Sequence, residues 1–421
     1  MLDIKFIKEN PDLIKEAARK KHSSFDVAQL LAVEEKRKNA QSLFEALRTE
    51  QNTLSDEIPK ASDQAVRAKL IENLKPLKEK VQTAEEEIKT IMKEWQTLML
   101  QVPNIPDMTV PEGEDDSGNV EVHAWGKKNT FSFEAKNHIQ LMEALDMADF
   151  ERGAEVAGFR GYYLKNGGAE LSFAIWQYAK DFWMKRGFQF MIVPSLVRKQ
   201  TLMGTGYLPG GEDDLYRTQD EEYLAGTGEV ATMSYFADQT IDVSASPIKV
   251  LAFSPCFRRE AGAHSKDVKG LIRVHEFFKL EQVVLCEASH ETSVALHEEI
   301  NKNTEEFIQS LGISYRVVVN CGGDLGQGQV KKYDIELWVP AEQTYREISS
   351  ASYFHDFQTR RLNTRYKDSE GKLRFAHSLN CTAIPTPRIL VSLVENFQQP
   401  DGSIVIPEVL RPYMGKDIIS K

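Results

Sequence analysis

The sequence predicts an α+β fold: an N-terminal antiparallel coiled-coil hairpin, followed by a module in which helices flank one large, mainly antiparallel sheet. Three observations lead there. A rhythm of apolar residues at spacings of three and four fills most of the first quarter of the chain. Short β-branched and aromatic segments dominate the remainder. Several of those segments are joined by connections too short for the helical crossover that parallel strands require.

The hairpin comes first. Leu30, Val33, Arg37, Ala40, Phe44, Leu47, Gln51, Leu54 and Ile58 keep the rhythm up to Pro59. After the polar stretch KASDQ it restarts as Leu70, Leu74, Leu77, Val81, Ala84, Ile88, Ile91, Trp95 and Leu98, with charges in most positions between. Two such helices separated by a short turn can bury their seams only against each other. At about 1.5 Å per residue, each arm extends roughly 40 Å. Pro76 removes a helical hydrogen bond and predicts a kink in the second arm. Such a hairpin serves either as a spacer or dimerisation element or as an arm that touches a large partner, and its mixed charge admits both.

Whole-chain properties bound the function. With 421 residues there is chain for a large core plus an appended module. The composition, 41% hydrophobic and 27% charged, is that of a globular protein, and the formal net charge of -11 argues against non-specific coating of nucleic acid. No apolar run approaches the roughly 20 residues that span a bilayer. The opening MLDIKFIKENPDLIKEAARKK reads as neither a secretory signal nor a transit peptide. Cys256, Cys286, Cys321 and Cys381 are widely spaced and form no CxxC, which predicts reduced, buried thiols in a cytoplasmic protein.

Residues 102–119, VPNIPDMTVPEGEDDSGN, read as a linker between residues 1–101 and a module over 120–421. In that module the patterns predict helices at 137–149, 168–186, 289–311 and 387–398. Strands are expected at 188–193, 248–253, 271–285, 315–319, 333–339 and 345–350.

The chemistry concentrates in CFRREAGAHSKDVKGLIRVHEFFKLE, residues 256–281. On a strand, Arg258 and Glu260 share a face, and Arg273, His275, Phe277, Lys279 and Glu281 form a period-two row. Paired antiparallel, the two segments would gather cations, acids and a ring on one sheet face. That face is either laced with solvated salt bridges or built for a ligand, since burying the mixture alone is expensive. Glu347 and Ser350 in YREISS are oxygen donors of the kind Mg²⁺ accepts. Together with Arg258, Arg273 and Arg388 they suit a nucleoside triphosphate, because planar guanidinium groups match phosphate oxygens. Neither GxxxxGK[ST] nor GxGxxG occurs, so the site is of neither P-loop nor Rossmann type.

FRRE followed by RVHEF resembles the second signature motif of the class II aminoacyl-tRNA synthetases. RGFQFMIVPSL with Pro194 resembles the first motif, and LNCTAIPTPRILVSLVEN with Arg388 the third. The resemblance is closest to the bacterial-type seryl-tRNA synthetases and runs nearly end to end, through VPNIPD, GNVEVHAWG, TGYLP, TGEV, CFRREAG, KYDIELWVP, YREISS and DFQTRR. It implies a class II catalytic module that activates L-serine with ATP and Mg²⁺ and passes it to tRNA(Ser), with selenocysteine tRNA as a second acceptor. The hairpin becomes the arm that grips the tRNA, residues 1–101 a tRNA-binding domain, and the first motif a homodimer interface.

By the same resemblance Arg258, Arg273 and Arg388 are the catalytic cations. Arg258, Arg259, Glu260, Arg273, Phe277, Glu347, Ile348, Ser349, Ser350 and Arg388 hold ATP, with Phe277 beneath the adenine ring, Glu260 at its edge, and Glu347 and Ser350 on Mg²⁺. Thr227, Gly228, Glu229, Arg258, Glu281, Asn380 and Thr382 hold serine. The chain departs from the family pattern at Gly228, at Tyr207 in TGYLP where glutamine is frequent, and in CTAIPTPR, which lacks the third motif's glycines. His264 and Lys266 fall where contacts to the tRNA end are expected. A synthetase-like ligase that charges a carrier protein or another amino acid, and a non-catalytic scaffold, are the competing readings. The intact arm argues against the first and the retained arginines against the second.

Overall fold

The computed structural model describes residues 1–262 and 267–421 and divides into two compact units. One comprises Leu2–Arg19 and Ser23–Pro103; the other comprises Met1, Lys20–His22 and Asn104–Lys421.

In the first unit, helices Ile4–Glu9 and Pro11–Lys20 precede the two long helices Val27–Glu57 and Gln64–Gln101. Asp26 and Asp63 cap the long helices by accepting from Ala28 N and Ala65 N, which satisfies backbone donors that have no partner within the helix. Every predicted seam position from Leu30 to Ile58 and from Leu70 to Leu98 is buried or half-buried, and most positions between them are exposed. A two-helix seam has one partner face and no third layer, so few of its side chains are fully covered. Arg37 pairs with buried Glu34 at 2.8 Å and lies 5.3 Å above the Trp95 ring. The second helix is continuous through Pro76, and Leu77 beside it stays buried, so the proline does not end the arm.

The second unit is built on an eight-stranded sheet among the described residues. Its strands run in the order Val120–Trp125, Tyr315–Val319, Lys331–Val339, Thr344–His355, His377–Thr386, Glu276–Cys286, Ile248–Phe257, Gln189–Ile192. Every neighbouring pair is antiparallel except the last, in which Gln189–Ile192 runs parallel to Ile248–Phe257. Helices Asn166–Met184, His290–Leu311 and Arg388–Asn396 bring Trp183, Phe307 and Leu393 into its main core. Residues 104–119 belong to this unit: Asn104 N and Asp107 N donate to Gln327 O and Val330 O, and Gly322 N donates to Pro111 O. The four cysteines are free and buried.

Two expected elements lose four residues or more at one end. The helix expected at 137–149 runs only His138–Ala144, because Asp146 takes a left-handed φ of 53° and Met147 N turns back to Met142 O. The strand expected at 271–285 begins at Glu276. Before it, Gly270 has φ +100° and Leu271 N donates to His138 Nε2, which pins residues 270–271 to the neighbouring helix instead of the sheet. Arg273 and His275 therefore do not continue the row of Phe277, Lys279 and Glu281.

Candidate active site

Two adjoining cavities open beside the central strands. Arg258, Glu260, Phe277, Ile348, Thr386 and Arg388 line the first. Tyr207, Thr227, Glu229, Glu281, Ser350 and Asn380 line the second. Arg258, Lys279, Glu347 and Thr382 face both.

The strand Ile248–Phe257 delivers Arg258 just past its end, where Arg258 N donates to His275 O and the side-chain Nε donates to Gly226 O at 3.3 Å. Its guanidinium lies 5.3 Å from the Phe277 ring centroid. Glu260 has also left the strand, with φ 54°. Its backbone N donates to Asp214 Oδ1 at 2.6 Å and its carboxylate pairs with Arg273. Arg388 opens its helix after Pro387, donating to Ile272 O at 2.7 Å and to Glu347 O at 3.1 Å.

Three half-buried guanidinium groups thus sit close enough to repel one another. Burial lowers the Arg388 pKa; Glu347 raises it, while Arg258 and Arg273 push it down further. Burial also pulls on Arg258, but Tyr207, Cys256, Glu260 and Glu347 outweigh it and the net shift is upward. A polyanion entering here would relieve the repulsion among the arginines.

The second cavity is a carboxylate pocket. Thr227 caps the helix Gly228–Tyr235 and accepts from the Lys279 ammonium at 2.7 Å. Lys279 also pairs with Glu281 at 2.5 Å, and Thr382 Oγ1 donates to Glu281 at 3.3 Å. Glu229 is held from two sides, by the Tyr207 hydroxyl at 3.0 Å and by Gln358 Nε2 at 2.6 Å. Burial raises the Glu229 pKa, and the Glu281 charge adds to the shift; the bonds from Gln358 and Tyr207 and the charge of Lys279 oppose it. Two carboxylates facing one lysine leave an excess negative charge that suits an incoming ammonium group.

Glu347 and Ser350 lie three residues apart, a spacing that puts side chains on opposite faces of a regular strand. Across from them Ile335 pairs with Ser349 and Glu336 with Glu347, so Ile348 drops out of register. This bulge returns Glu347 and Ser350 to one face, and both line the second cavity. They are oxygen donors of the type a hard divalent cation takes. Among the described residues no three His, Cys, Asp or Glu side chains converge on a metal site, so phosphate oxygens or water would have to complete the set.

Some predicted residues lie aside. The Ser349 hydroxyl turns inward and donates to Thr382 O at 2.5 Å, as alternation next to Ser350 requires. Arg259 is exposed and uses its backbone N on Asp214 O. Gly228 packs against Ala252 and Ser254, where an added Cβ would sit 3.2 Å from Ser254 Oγ. Arg273 is engaged by Glu260 and by Asp267 at 3.8 Å. His264 and Lys266 fall outside the described residues. Conversely, Tyr207, Gln358 and Asp214 received no role from sequence, and Lys279 only a place in the row of charges. Gln358 stands in the DFQTRR segment, yet nothing local announces that it reaches Glu229.

Residues 1–106 match the seryl-tRNA synthetase N-terminal domain, and residues 213–397 match the tRNA synthetase class II core domain (G, H, P, S and T). The chain is 44% identical to a serine–tRNA ligase of Deinococcus radiodurans, over 99% of this chain and 98% of that one. It is 42% identical to the serine–tRNA ligase of Caldicellulosiruptor saccharolyticus over the full length of both. The crystal structure of seryl-tRNA synthetase from Pyrococcus horikoshii complexed with ATP superposes with a TM-score of 0.89 at 36% identity, covering 100% of this chain and 99% of that one. With both domains matched and identity sustained end to end, this chain belongs to the seryl-tRNA synthetase family.

Proposed function

We infer that this chain joins L-serine to tRNA(Ser) in two ATP-driven steps, and that the junction at Arg258 is where the first occurs. The observation that carries the reading is that Arg258 faces both cavities, one rich in arginine and one rich in carboxylate. A serine carboxylate oxygen attacks the α-phosphorus, and the bond from that phosphorus to the oxygen bridging to the β-phosphate breaks. Pyrophosphate leaves and seryl-adenylate remains. A terminal ribose hydroxyl of the tRNA then attacks the seryl carbonyl, and AMP departs. Serine's carboxylate is already ionised near neutral pH, so the first step needs no general base; positioning and charge neutralisation supply the catalysis.

In this reading Arg258 bridges the α-phosphate and the serine carboxylate. Phe277 and Arg388 enclose the adenine ring and Glu260 reads its edge. Arg273 exchanges Glu260 for phosphate, and Arg259, Ile348 and Ser349 shape the ATP side. Glu229, Glu281 and Thr227 receive the serine ammonium and hydroxyl, with Thr382, Asn380 and Gly228 completing the pocket. Glu347 and Ser350 hold Mg²⁺, which when bound neutralises phosphate charge. A pocket that hydrogen-bonds the substrate hydroxyl disfavours alanine, since its buried polar groups would be left unpaired.

Residues 1–101 act as the tRNA-binding domain, 102–119 as the connection and 120–421 as the catalytic domain, with the hairpin gripping the tRNA. A selenocysteine tRNA is a second acceptor where the host has one. The homodimer reading is supported by the exposed apolar surface on and near the edge strand Gln189–Ile192, where Ile192 is 74% and Phe173 62% exposed. Four buried thiols without disulfides support a cytoplasmic setting, and among the described residues no helix is long and apolar enough to cross a membrane. The deciding measurement is serine-dependent exchange of pyrophosphate into ATP. Exchange with serine and not with alanine or threonine is expected; a folded protein with no serine-dependent exchange would overturn the reading.

A further inference from the structure

Beside Glu347 and Ser350, on the neighbouring strand and the same sheet face, lies a buried acid, Asp334 of KYDIELWVP, to which neither the sequence reading nor the activation chemistry gives a role. The strand Lys331–Val339 sets Asp334 directly opposite Ser350 and Glu336 opposite Glu347. Directly opposed residues share a sheet face with Cβ atoms about 5 Å apart. Glu336 is already engaged, by Arg316 at 2.6 Å. Asp334 is 7% exposed and only half engaged. Its Oδ2 accepts from Asn320 Nδ2 at 2.6 Å and lies 3.6 Å from the Lys332 ammonium. Its Oδ1 is buried and has no hydrogen-bond partner among the described residues. The Ser350 hydroxyl is near enough to act on this carboxyl, though it makes no hydrogen bond of normal geometry to Oδ1.

A buried carboxylate oxygen without a partner is unfavourable and calls for a donor. A serine hydroxyl that ligates a cation supplies one. It binds the ion through an oxygen lone pair, its O–H becomes more acidic, and the proton needs an acceptor on the far side. We propose that Asp334 is a positioning residue for the divalent cation of this site: its free oxygen accepts from the Ser350 hydroxyl while Ser350 ligates the ion. The proposal rests on the assignment of Glu347 and Ser350 as the ligands. Lys332 fits the same scheme. It lies 3.4 Å from Asp324 and 3.6 Å from Asp334, so it balances the acid without occupying Oδ1. Partners of this kind orient ligands and typically change metal affinity 10- to 100-fold when removed.

The test uses the full-length protein, Mn²⁺ and a non-hydrolysable ATP analogue, with bound Mn²⁺ read by electron paramagnetic resonance. Asp334→Asn keeps the shape but presents an amide, and is expected to weaken Mn²⁺ binding about 10-fold or more while leaving the KM for serine unchanged. Asp334→Glu keeps an acceptor and should fall closer to wild type. In Ser350→Ala the acceptor has nothing left to orient, so adding Asp334→Asn should bring little further loss. Wild-type Mn²⁺ affinity in Asp334→Asn, or full additivity with Ser350→Ala, would overturn the proposal. Wild-type affinity in both Glu347→Gln and Ser350→Ala would overturn the ligand assignment as well, which separates the two failures. Thermal melting of each variant reports folding, and Asp334→Glu against wild type gives a second comparison should Asp334→Asn not fold.

Discussion

The Tyr207 hydroxyl donates to Glu229 Oε2 at 3.0 Å inside the carboxylate pocket, in a loop whose position matched a family glutamine. Burial raises the Glu229 pKa and this bond opposes the rise. A raised carboxyl pKa means that acid neutralises Glu229 at a higher pH than an exposed glutamate, so serine capture should weaken early on the acid side. Tyr207→Phe removes the opposing bond. It should move the acid limb of kcat/KM for serine to higher pH, with the limb for ATP unmoved. An unchanged serine profile would separate Tyr207 from the substrate.

Arg258 stands at the contact of the two cavities, so its removal should affect the first step directly. Arg258→Ala is expected to lower serine-dependent pyrophosphate exchange on the order of 10³-fold, the scale seen when a charge-stabilising donor is deleted. Arg258→Lys should rescue little, because one ammonium cannot reproduce a planar fork of donors.

If the arm serves tRNA binding alone, it is separable from activation. Replacing residues 30–98 by a short turn should leave pyrophosphate exchange near wild type and abolish tRNA charging. Normal charging by the shortened protein would remove the arm from tRNA recognition.

Acid should destabilise the second unit through its buried histidines. His297 is fully buried, is hydrogen-bonded to Ala351 O at 2.9 Å, and burial lowers its pKa to about 4. His355 is lowered to about 4 by burial and by its neighbours His377 and His290, with Asp107 opposing. Between the ordinary histidine value near 6.5 and about 4, the unfolded chain binds protons that the folded one refuses. Stability is therefore full above about pH 6.5 and falls as the pH drops toward 4. The Tm should fall over that window, and less so in His355→Gln if the variant folds; an identical pH slope in the two proteins would exclude this residue.

If the edge strand Gln189–Ile192 builds the dimer, a charge at its most exposed apolar side chain should divide it. Ile192→Asp is expected to shift the mass in sedimentation from dimer to monomer. A wild-type protein that sediments as a monomer, or an unchanged dimer in the variant, would overturn that surface.

Much of this was readable along the chain, for a physical reason. A coiled-coil seam is a periodic signal, and Leu30 to Leu98 kept the period through a proline. The arginine and acid content of residues 256–281 pointed to either a salt-bridged face or a ligand face, because such a mixture is unfavourable to bury unliganded. The row Arg273, His275, Phe277 failed at its start because Gly270 and the contact of Leu271 with His138, 133 residues away in sequence, took that backbone off the sheet.

The sequence by itself determined the hairpin, the antiparallel sheet and the residue types of the site, since these follow from local period and composition. Only the tertiary structure decided which of those residues meet. The slipped register at Ile348 put Glu347 and Ser350 on one face, turned Ser349 into the core and set Asp334 opposite Ser350. Loop and helix packing brought Tyr207 and Gln358 onto Glu229. Strand register and long-range packing depend on the partner segment as much as on the residues themselves, so no reading of one segment alone contains them.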